Sequence, residues 1–378
     1  MKRKMLGLYV HVPFCVKKCR YCDFVSEASD CDRRDRYVNA VAAEIRRRGD
    51  RSRRCDTVFI GGGTPSVLTG EQLKRIGDAL RESFTIEPDA EFTVEANPDS
   101  LTPEKAAALK ETGANRLSIG FQSLSECALG VLGRVHSAEK AVEAFKNARR
   151  AGFENINIDL IFGLPGEPEG EFENTLRRVA ELGPEHISAY SLIVEEGTPL
   201  ARDIMSGILP EPDDERDRAD YRFALAFLKE SGYRQYEISN FAKPGMESKH
   251  NRRYWRQEEY LGFGPAAASF EGGRRYSNTG DIRLYTENGG LASSSEDQIL
   301  SRDELMNEYM MLGFRMTDGP DFEHFRKIYG ADAEELFSGK LKYLEGEGLI
   351  ENRQSKTNPF RLTPKGLDFA NRIWREFV

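Results

Sequence analysis

Tyr9-Val10-His11-Val12-Pro13-Phe14-Cys15-Val16-Lys17-Lys18-Cys19-Arg20-Tyr21-Cys22-Asp23-Phe24 decides how the rest of the chain is read. The run Leu8–Pro13 reads as a strand, and three cysteines follow it in the spacing CxxxCxxC. Thiolates are soft ligands that suit iron–sulfur clusters and zinc. A structural zinc site closes with four ligands, and no fourth Cys or His follows at a workable spacing. Cys31 stands nine residues on, at a helix start, and His11 lies on the strand, where a half-buried structural role is the plain reading. Three ligands on one loop leave one iron of a [4Fe–4S] cubane with an open position. Cys15, Cys19 and Cys22 are therefore read as cluster ligands, against the alternatives of a zinc knuckle or chance clustering. The scattered Cys31, Cys55 and Cys127 read as buried small hydrophobes.

Around that loop the sequence alternates short apolar runs with amphipathic segments as far as residue 245. Strands are predicted at Leu8–Pro13, Thr57–Ile60, Glu91–Glu95, Arg116–Phe121, Asn155–Phe162 and His186–Ile193. The helices between them have legible ends. Thr69-Gly70-Glu71-Gln72 is a capping box, Thr102-Pro103 places proline at the first helical position, and Ser137 opens a further helix that ends before Gly152. Repeated βα units require a parallel sheet, and six of them favour a partial (β/α)6 TIM-like barrel, with a doubly wound open sheet as the alternative. Asp213–Ser231 reads as another helix and Gln235–Ser239 as a strand. A long, irregular, aromatic stretch then runs from Asn240 to about Asn288. From Ser301 the pattern changes to helices over Asp303–Phe314, Asp321–Tyr329 and Asp332–Glu347, a hairpin over Leu349–Leu362, and a last helix over Pro364–Phe377. That is the outline of an α+β winged-helix-like module. The organisation expected is a barrel domain over 1–245, a connecting segment over 246–292 and a C-terminal domain over 293–378, with the acidic stretch Ser293–Asp297 at the boundary.

The bulk properties exclude several classes. The chain has 378 residues, 39% hydrophobic and 31% charged, with a formal net charge of -8, so it lacks the basic surface of a nucleic-acid binder. The arginines at 46–48, 51, 53 and 54 read as a solvated helix end, and the helix over Asp332–Glu347 is acid-rich, which disfavours phosphate contact. No signal-peptide pattern and no apolar run of membrane-spanning length is visible, so a cytoplasmic protein with no transmembrane segment and no nucleic-acid partner is expected.

The polar residues of the alternating region fall at the C-terminal ends of the strands, where (β/α) barrels gather their functional groups. Gly61-Gly62-Gly63-Thr64 ends the second strand, Glu95 the third and Gln122 the fourth, and Asp159 lies within the fifth. Together with CxxxCxxC after the first strand, these motifs resemble those of radical S-adenosylmethionine (SAM) enzymes. In that family an electron from the cluster splits SAM into methionine and a 5′-deoxyadenosyl radical, and SAM chelates the open iron. The resemblance implies that Tyr9, Tyr21, Gly62, Gly63, Thr64, Glu95, Gln122, Arg134 and Asp159 surround SAM.

The resemblance covers nearly the whole chain and is strongest to the branch related to oxygen-independent coproporphyrinogen III oxidase. Glu95-Ala-Asn-Pro98, Asp159-Leu-Ile-Phe-Gly-Leu-Pro165, Pro184-Glu-His-Ile-Ser188 and Tyr236-Glu-Ile-Ser-Asn240 carry it. The oxidase has a cysteine two residues after the third cluster ligand and a longer N-terminal arm. Phe24 holds that place here, and fourteen residues precede Cys15. Both departures favour the haem-chaperone subfamily, whose HNxxYW motif is present as His250-Asn251-Arg252-Arg253-Tyr254-Trp255. The resemblance then implies a heme chaperone using His250, Tyr254 and Trp255 at the haem, with apo-haemoprotein acceptors, an electron donor and homodimerisation. The alternative is an oxygen-independent coproporphyrinogen III oxidase or another tetrapyrrole-modifying enzyme. In one stretch the chain departs from the family: the usual Gly-Pro-Gly-Ala-His-Ser is Gly264-Pro265-Ala266-Ala267-Ala268-Ser269.

Overall fold

A computed structural model describes residues 5–291 and 294–378. Six parallel strands form its centre: β1 (Leu6–Val12), β2 (Arg54–Gly62), β3 (Thr85–Ala96), β4 (Arg116–Gln122), β5 (Asn155–Phe162) and β6 (His186–Ser191). Each is joined to the next through helix: α1 (Cys31–Arg47), α2 (Gly70–Ser83), α3 (Pro103–Glu111), the pair α4 (Glu126–Leu132) and α5 (Ala138–Arg150), and α6 (Glu171–Leu182). This is a partial (β/α)6 TIM-like barrel. The capping box of Thr69 and Gln72 forms as read, and Thr102 and Ser137 cap α3 and α5.

The sheet extends at both ends. α7 (Pro199–Met205) and α8 (Asp214–Glu230) lead to β7 (Arg234–Glu237) and β8 (Asn240–Ala242), which add antiparallel beyond β6. On the other side β9 (Tyr260–Phe263) runs parallel to β1, followed by antiparallel β10 (Ala268–Glu271), β11 (Arg274–Asn278) and β12 (Ser294–Ile299). The stretch from Asn240 to Asn288 is therefore not irregular. It holds β8 to β11 with two short helices, α9 (Lys249–Trp255) and α10 (Ile282–Glu287). Strands of three to five residues are too short for their alternation to register against loop sequence.

Strand alternation divides the barrel chemically. One register of β1 to β5 (Leu8, Val10, Val58, Ile60, Val94, Leu117, Ile158) joins the apolar faces of the helices in a single core. The opposite register is polar and faces the interior: Thr93 and Glu95, Arg116 and Ser118, Asn157 and Asp159, His186 and Ser188. Hydrogen bonds link much of it, Ser118 to Asp159 at 2.9 Å, Asn157 to Ser118 at 2.7 Å and His186 to Asn157 at 2.7 Å. Barrels filled by branched apolar side chains are a closed core; this one keeps a polar lumen.

The C-terminal part has its own apolar cluster, including Met310, Phe314, Phe325, Leu341, Leu344 and Ile373. It is built from α11 (Arg302–Gly313), α12 (Phe322–Tyr329), α13 (Ala333–Leu336), α14 (Ser338–Gly346), a hairpin of Ile350–Asn352 with Phe360–Leu362, and α15 (Pro364–Asp368) with α16 (Ala370–Arg375). Two expected helices are each broken. Phe337 leaves the helical region (φ -105°, ψ 15°) to bury its ring against Phe325 and Phe377, and Phe369 (φ -119°, ψ 30°) separates the last two segments. The expected division between 246–292 and 293–378 falls at residues outside those described.

Two smaller readings change. Cys31 and Cys127 are exposed, and of the scattered cysteines only Cys55 is buried. In the arginine run Arg46, Arg47, Arg51 and Arg54 are exposed at and beyond the end of α1, as read, but Arg48 and Arg53 are not free. Arg48 donates to Glu44, Gly262 O, Ser269 and Tyr276, while Arg53 pairs with Glu259 and Glu271. Among the described residues no helix is long and apolar enough to cross a membrane.

Candidate cofactor site at the barrel mouth

The C-terminal ends of the strands form a mouth over which the cysteine loop folds. Phe14–Cys15 pairs with Glu27–Ala28 and closes the loop into a flap. Gly63 N–H donates to Val12 O at 2.8 Å and Thr64 N–H to Phe14 O at 2.7 Å, so the glycine turn after β2 lies directly against the chain entering Cys15. A side chain at Gly62 (φ 102°) would strike the His11 ring, and one at Gly61 the Glu95 carboxyl. Only glycine fits that approach.

Two donors address the thiols. Thr64 Oγ1 lies 3.4 Å from Cys15 Sγ, and Arg134 Nη1 lies 3.3 Å from Cys19 Sγ. Arg134 also donates to Asn97 Oδ1 at 2.8 Å and Gly120 O at 2.7 Å, and Asn97 reaches Thr64 Oγ1 at 3.0 Å. Arg134 thus clamps the cysteine loop to the ends of β3 and β4. Burial pushes the Cys15 and Cys22 thiols above their ordinary range. Among the described residues no three His, Cys, Asp or Glu side chains close around a single ion. The fit to an iron–sulfur cluster therefore rests on the donor set: three soft ligands on one loop, with hydrogen bonds directed at two of the sulfurs.

Below the thiols sit two carboxylates. Glu95 accepts from Gly62 N–H at 3.0 Å, and burial together with the charge of Asp159 pushes it up to about 8. Asp159 accepts from Ser118 and Asn157, yet burial raises it as well. Neither has an ion-pair partner among the described residues. A ligand carrying positive charge would relieve both, which fits SAM with its sulfonium and ammonium groups. Tyr9 donates to His11 Nδ1 at 3.0 Å, and His11 Nε2 binds Val25 O at 2.8 Å, fixing both rings at the base of the loop. Tyr21 packs over Ala128, Leu132, Ile161 and Leu164. Gln122 ends β4 at φ 65°, where a register shift between Gly120 and Gln122 re-aims its side chain.

The HNxxYW segment lies elsewhere, at the barrel floor. Glu91 caps the start of α9, accepting from Lys249 N–H at 2.9 Å, His250 N–H at 3.0 Å and Ser248 Oγ at 3.3 Å. His250 is buried, with Nδ1 bonded to Thr57 Oγ1 and Nε2 to Tyr254 Oη, both at 2.9 Å. Burial and the nearby Arg253 push it down to about 3, so it is neutral at pH 7. Its ring stacks on Phe59 at 5.2 Å. Arg253, also buried, binds Met5 O and Glu259 O and pairs with Asp56 and Glu258. Trp255 turns the other way, under the Arg315 guanidinium at 4.2 Å. The structure thus brings His250 and Tyr254 together but leaves Trp255 apart.

Sequence reasoning missed Asn97, Arg116, Asn157, His186 and Ser188. The alternation in Arg116-Leu-Ser-Ile-Gly-Phe-Gln122 and Asn155-Ile-Asn-Ile-Asp159 carried the signal, since polar residues at every second place of a buried strand must line a polar space.

Comparison with known proteins agrees with this layout. Residues 9–179 match the radical SAM superfamily, and residues 300–369 match the HemN C-terminal domain. The chain is 39% identical to the heme chaperone HemW of Bacillus subtilis, covering 99% of each, and 34% identical to that of Lactococcus lactis, covering 100% of this chain and 98% of the other. Its fold matches the structure of coproporphyrinogen III oxidase (HemN) from Escherichia coli, a radical SAM enzyme, with a TM-score of 0.85 and 27% identity over 99% of this chain and 90% of that one. With the cysteine loop, the polar barrel mouth and this full-length similarity in place, the chain belongs to the HemW family of radical SAM proteins.

Proposed function

We propose that this chain is a cytoplasmic heme chaperone that carries a [4Fe–4S] cluster on Cys15, Cys19 and Cys22, binds SAM beneath it, and passes haem to acceptor haemoproteins. The observation that carries the reading is the pairing of a three-thiol loop with buried carboxylates that have no ion-pair partner among the described residues, in a chain similar to HemW from end to end. When bound, the cluster would supply an electron to SAM. The protein's own part is to hold and shield. Thr64 and Arg134 donate toward sulfur, Glu95 and Asp159 receive positive charge, and Gly61 to Gly63 let the backbone approach the ligand. An electron donor and a second copy of the chain are proposed partners.

His250, Tyr254 and Trp255 are retained as the proposed haem contacts. Ligation of iron by His250 requires Nε2 to exchange Tyr254 for the metal, which opens the floor helix. Haem titration of the cluster-loaded protein against His250→Ala tests this. One haem per chain is expected for the wild type, and its absence would sink the chaperone reading. The second reading, porphyrinogen oxidation, draws on the likeness to the Escherichia coli oxidase. Phe24, 60% exposed on the cysteine loop where the oxidase carries a thiol, stands against it. An anaerobic assay for decarboxylated coproporphyrinogen is expected to detect none.

A further inference from the structure

Arg116 begins β4 between Thr93 of β3 and Asn155 of β5. It is the largest fully buried side chain of the described residues, at 2% exposure. Its one hydrogen bond is a long one, Nη1 to Thr93 Oγ1 at 3.4 Å, and Nε has no partner. No carboxylate among the described residues pairs with it. A buried charge costs several kcal/mol unless it is paired, so for the fold alone an apolar side chain of similar volume would serve better.

What Arg116 does face is the lower side of the carboxylate pair. Glu95 stands one inward step above Thr93, and Asp159 two above Asn155. The charge of Arg116 opposes their shifts, which come from burial and, for Glu95, from Asp159. The other titratable groups around this space are uncharged at neutral pH. Tyr9 on β1, Tyr190 on β6 and Tyr254 on α9 are pushed up by burial and by these carboxylates. His186 and His250 are pushed down by burial, with Arg116 itself contributing. Arg134 is committed at the rim to Cys19, Asn97 and Gly120.

We propose that Arg116 is a positioning residue for SAM, its unpaired guanidinium easing the ionisation of Glu95 and Asp159 by which they receive the sulfonium and ammonium charges. The carboxylates stand between Arg116 and the mouth, so the ligand meets their charge first. Without Arg116, two carboxylates in one low-dielectric space ionise less readily, and SAM binding must drive more of the deprotonation. The inference rests on the SAM reading above.

Equilibrium binding of SAM to cluster-loaded protein, from pH 6 to pH 9, tests it alongside thermal midpoints. In Arg116→Met the dissociation constant at pH 7 is expected to rise at least tenfold and to recover toward wild type by pH 9, with a midpoint at or above that of wild type. Unchanged affinity and pH profile in Arg116→Met would overturn the proposal. Weakening that is equal at every pH, with a lowered midpoint, would assign Arg116 to the fold and overturn it as well. If Arg116→Met does not fold, Arg116→Lys decides. Affinity within threefold of wild type and an unchanged profile support the proposal, and a tenfold loss in the folded protein overturns it. Failure of wild-type protein to bind SAM at all would refute the SAM reading itself, an outcome distinct from wild-type binding that Arg116→Met leaves intact.

Discussion

The two ends of the barrel are built from similar residues and differ in what is left over. At the floor the histidine and the charged groups find partners within the chain, although Arg253 Nε and Trp255 Nε1 do not. Glu91 takes three donors from the start of α9, both His250 nitrogens are bonded, and Arg253 ties β1 to Asp56 and Glu258. The mouth differs. Glu95 and Asp159 are buried without ion pairs, and three thiols sit on one loop with donors pointing at two of them. A buried group whose interactions are complete stabilises a fold, and one whose interactions are incomplete is poised for a ligand. By that criterion His250 is complete as it stands, while the mouth is left open to a charged ligand.

The largest expected difference is all-or-none. Cys19→Ala should lose the iron–sulfur absorption after anaerobic reconstitution, whereas the exposed Cys31→Ala and Cys127→Ala should keep wild-type iron content; equal loss in all three would erase the distinction between loop and surface thiols. Next is Glu95→Gln. SAM affinity should fall at least tenfold, as expected for removal of a charge-assisted contact. In the cofactor-free protein the same change should remove a pH dependence of stability. Glu95 is raised from 4.5 to about 8 in the folded state, so its contribution is fully present below the unfolded value and is lost as pH rises through about 8. Thermal midpoints from pH 5 to pH 9 should therefore slope downward less steeply in the variant.

The floor should answer in stability. Arg253→Met strands Asp56 and two carbonyls, and a loss of about 3–5 kcal/mol is expected in denaturant unfolding. A loss under 1 kcal/mol would break the picture of a floor whose charges are paired. Smallest is Ala266→Gly. Ala266 has φ 57°, in the left-handed region where the family carries glycine, and Ala266 N–H is held by Thr279 O. Relief of that conformation should stabilise the chain by about 0.5–1 kcal/mol, net of the added chain entropy, readable as a midpoint rise of about 1–2 °C.

The regular βα units were legible because each carries its own punctuation: Thr69 and Gln72 for α2, Thr102-Pro103 for α3, and alternation long enough to count in β4 and β5. The strand of Glu91–Glu95 was read short because its pairing with β2 shifts register between Arg54–Cys55 and Thr57, across a stretch that includes Pro88, which cannot donate to the ladder. In the aromatic stretch the elements exist only through partners far away in sequence. Glu44 of α1 accepts from Gly264 N–H and Tyr285 Oη, and Arg48 reaches Gly262 O and Ser269, so the fold of residues 260–285 is dictated by a helix more than two hundred residues earlier.

By itself the sequence determined the ligand loop, since thiol spacing is local chemistry, and the succession of βα units, since hydrophobic periodicity is local too. Tertiary structure alone decided which polar groups are left without partners. Whether a carboxylate, an arginine or an imidazole is satisfied depends on what the opposite wall of the barrel presents to it. That separates Glu95 and Arg116 from His250.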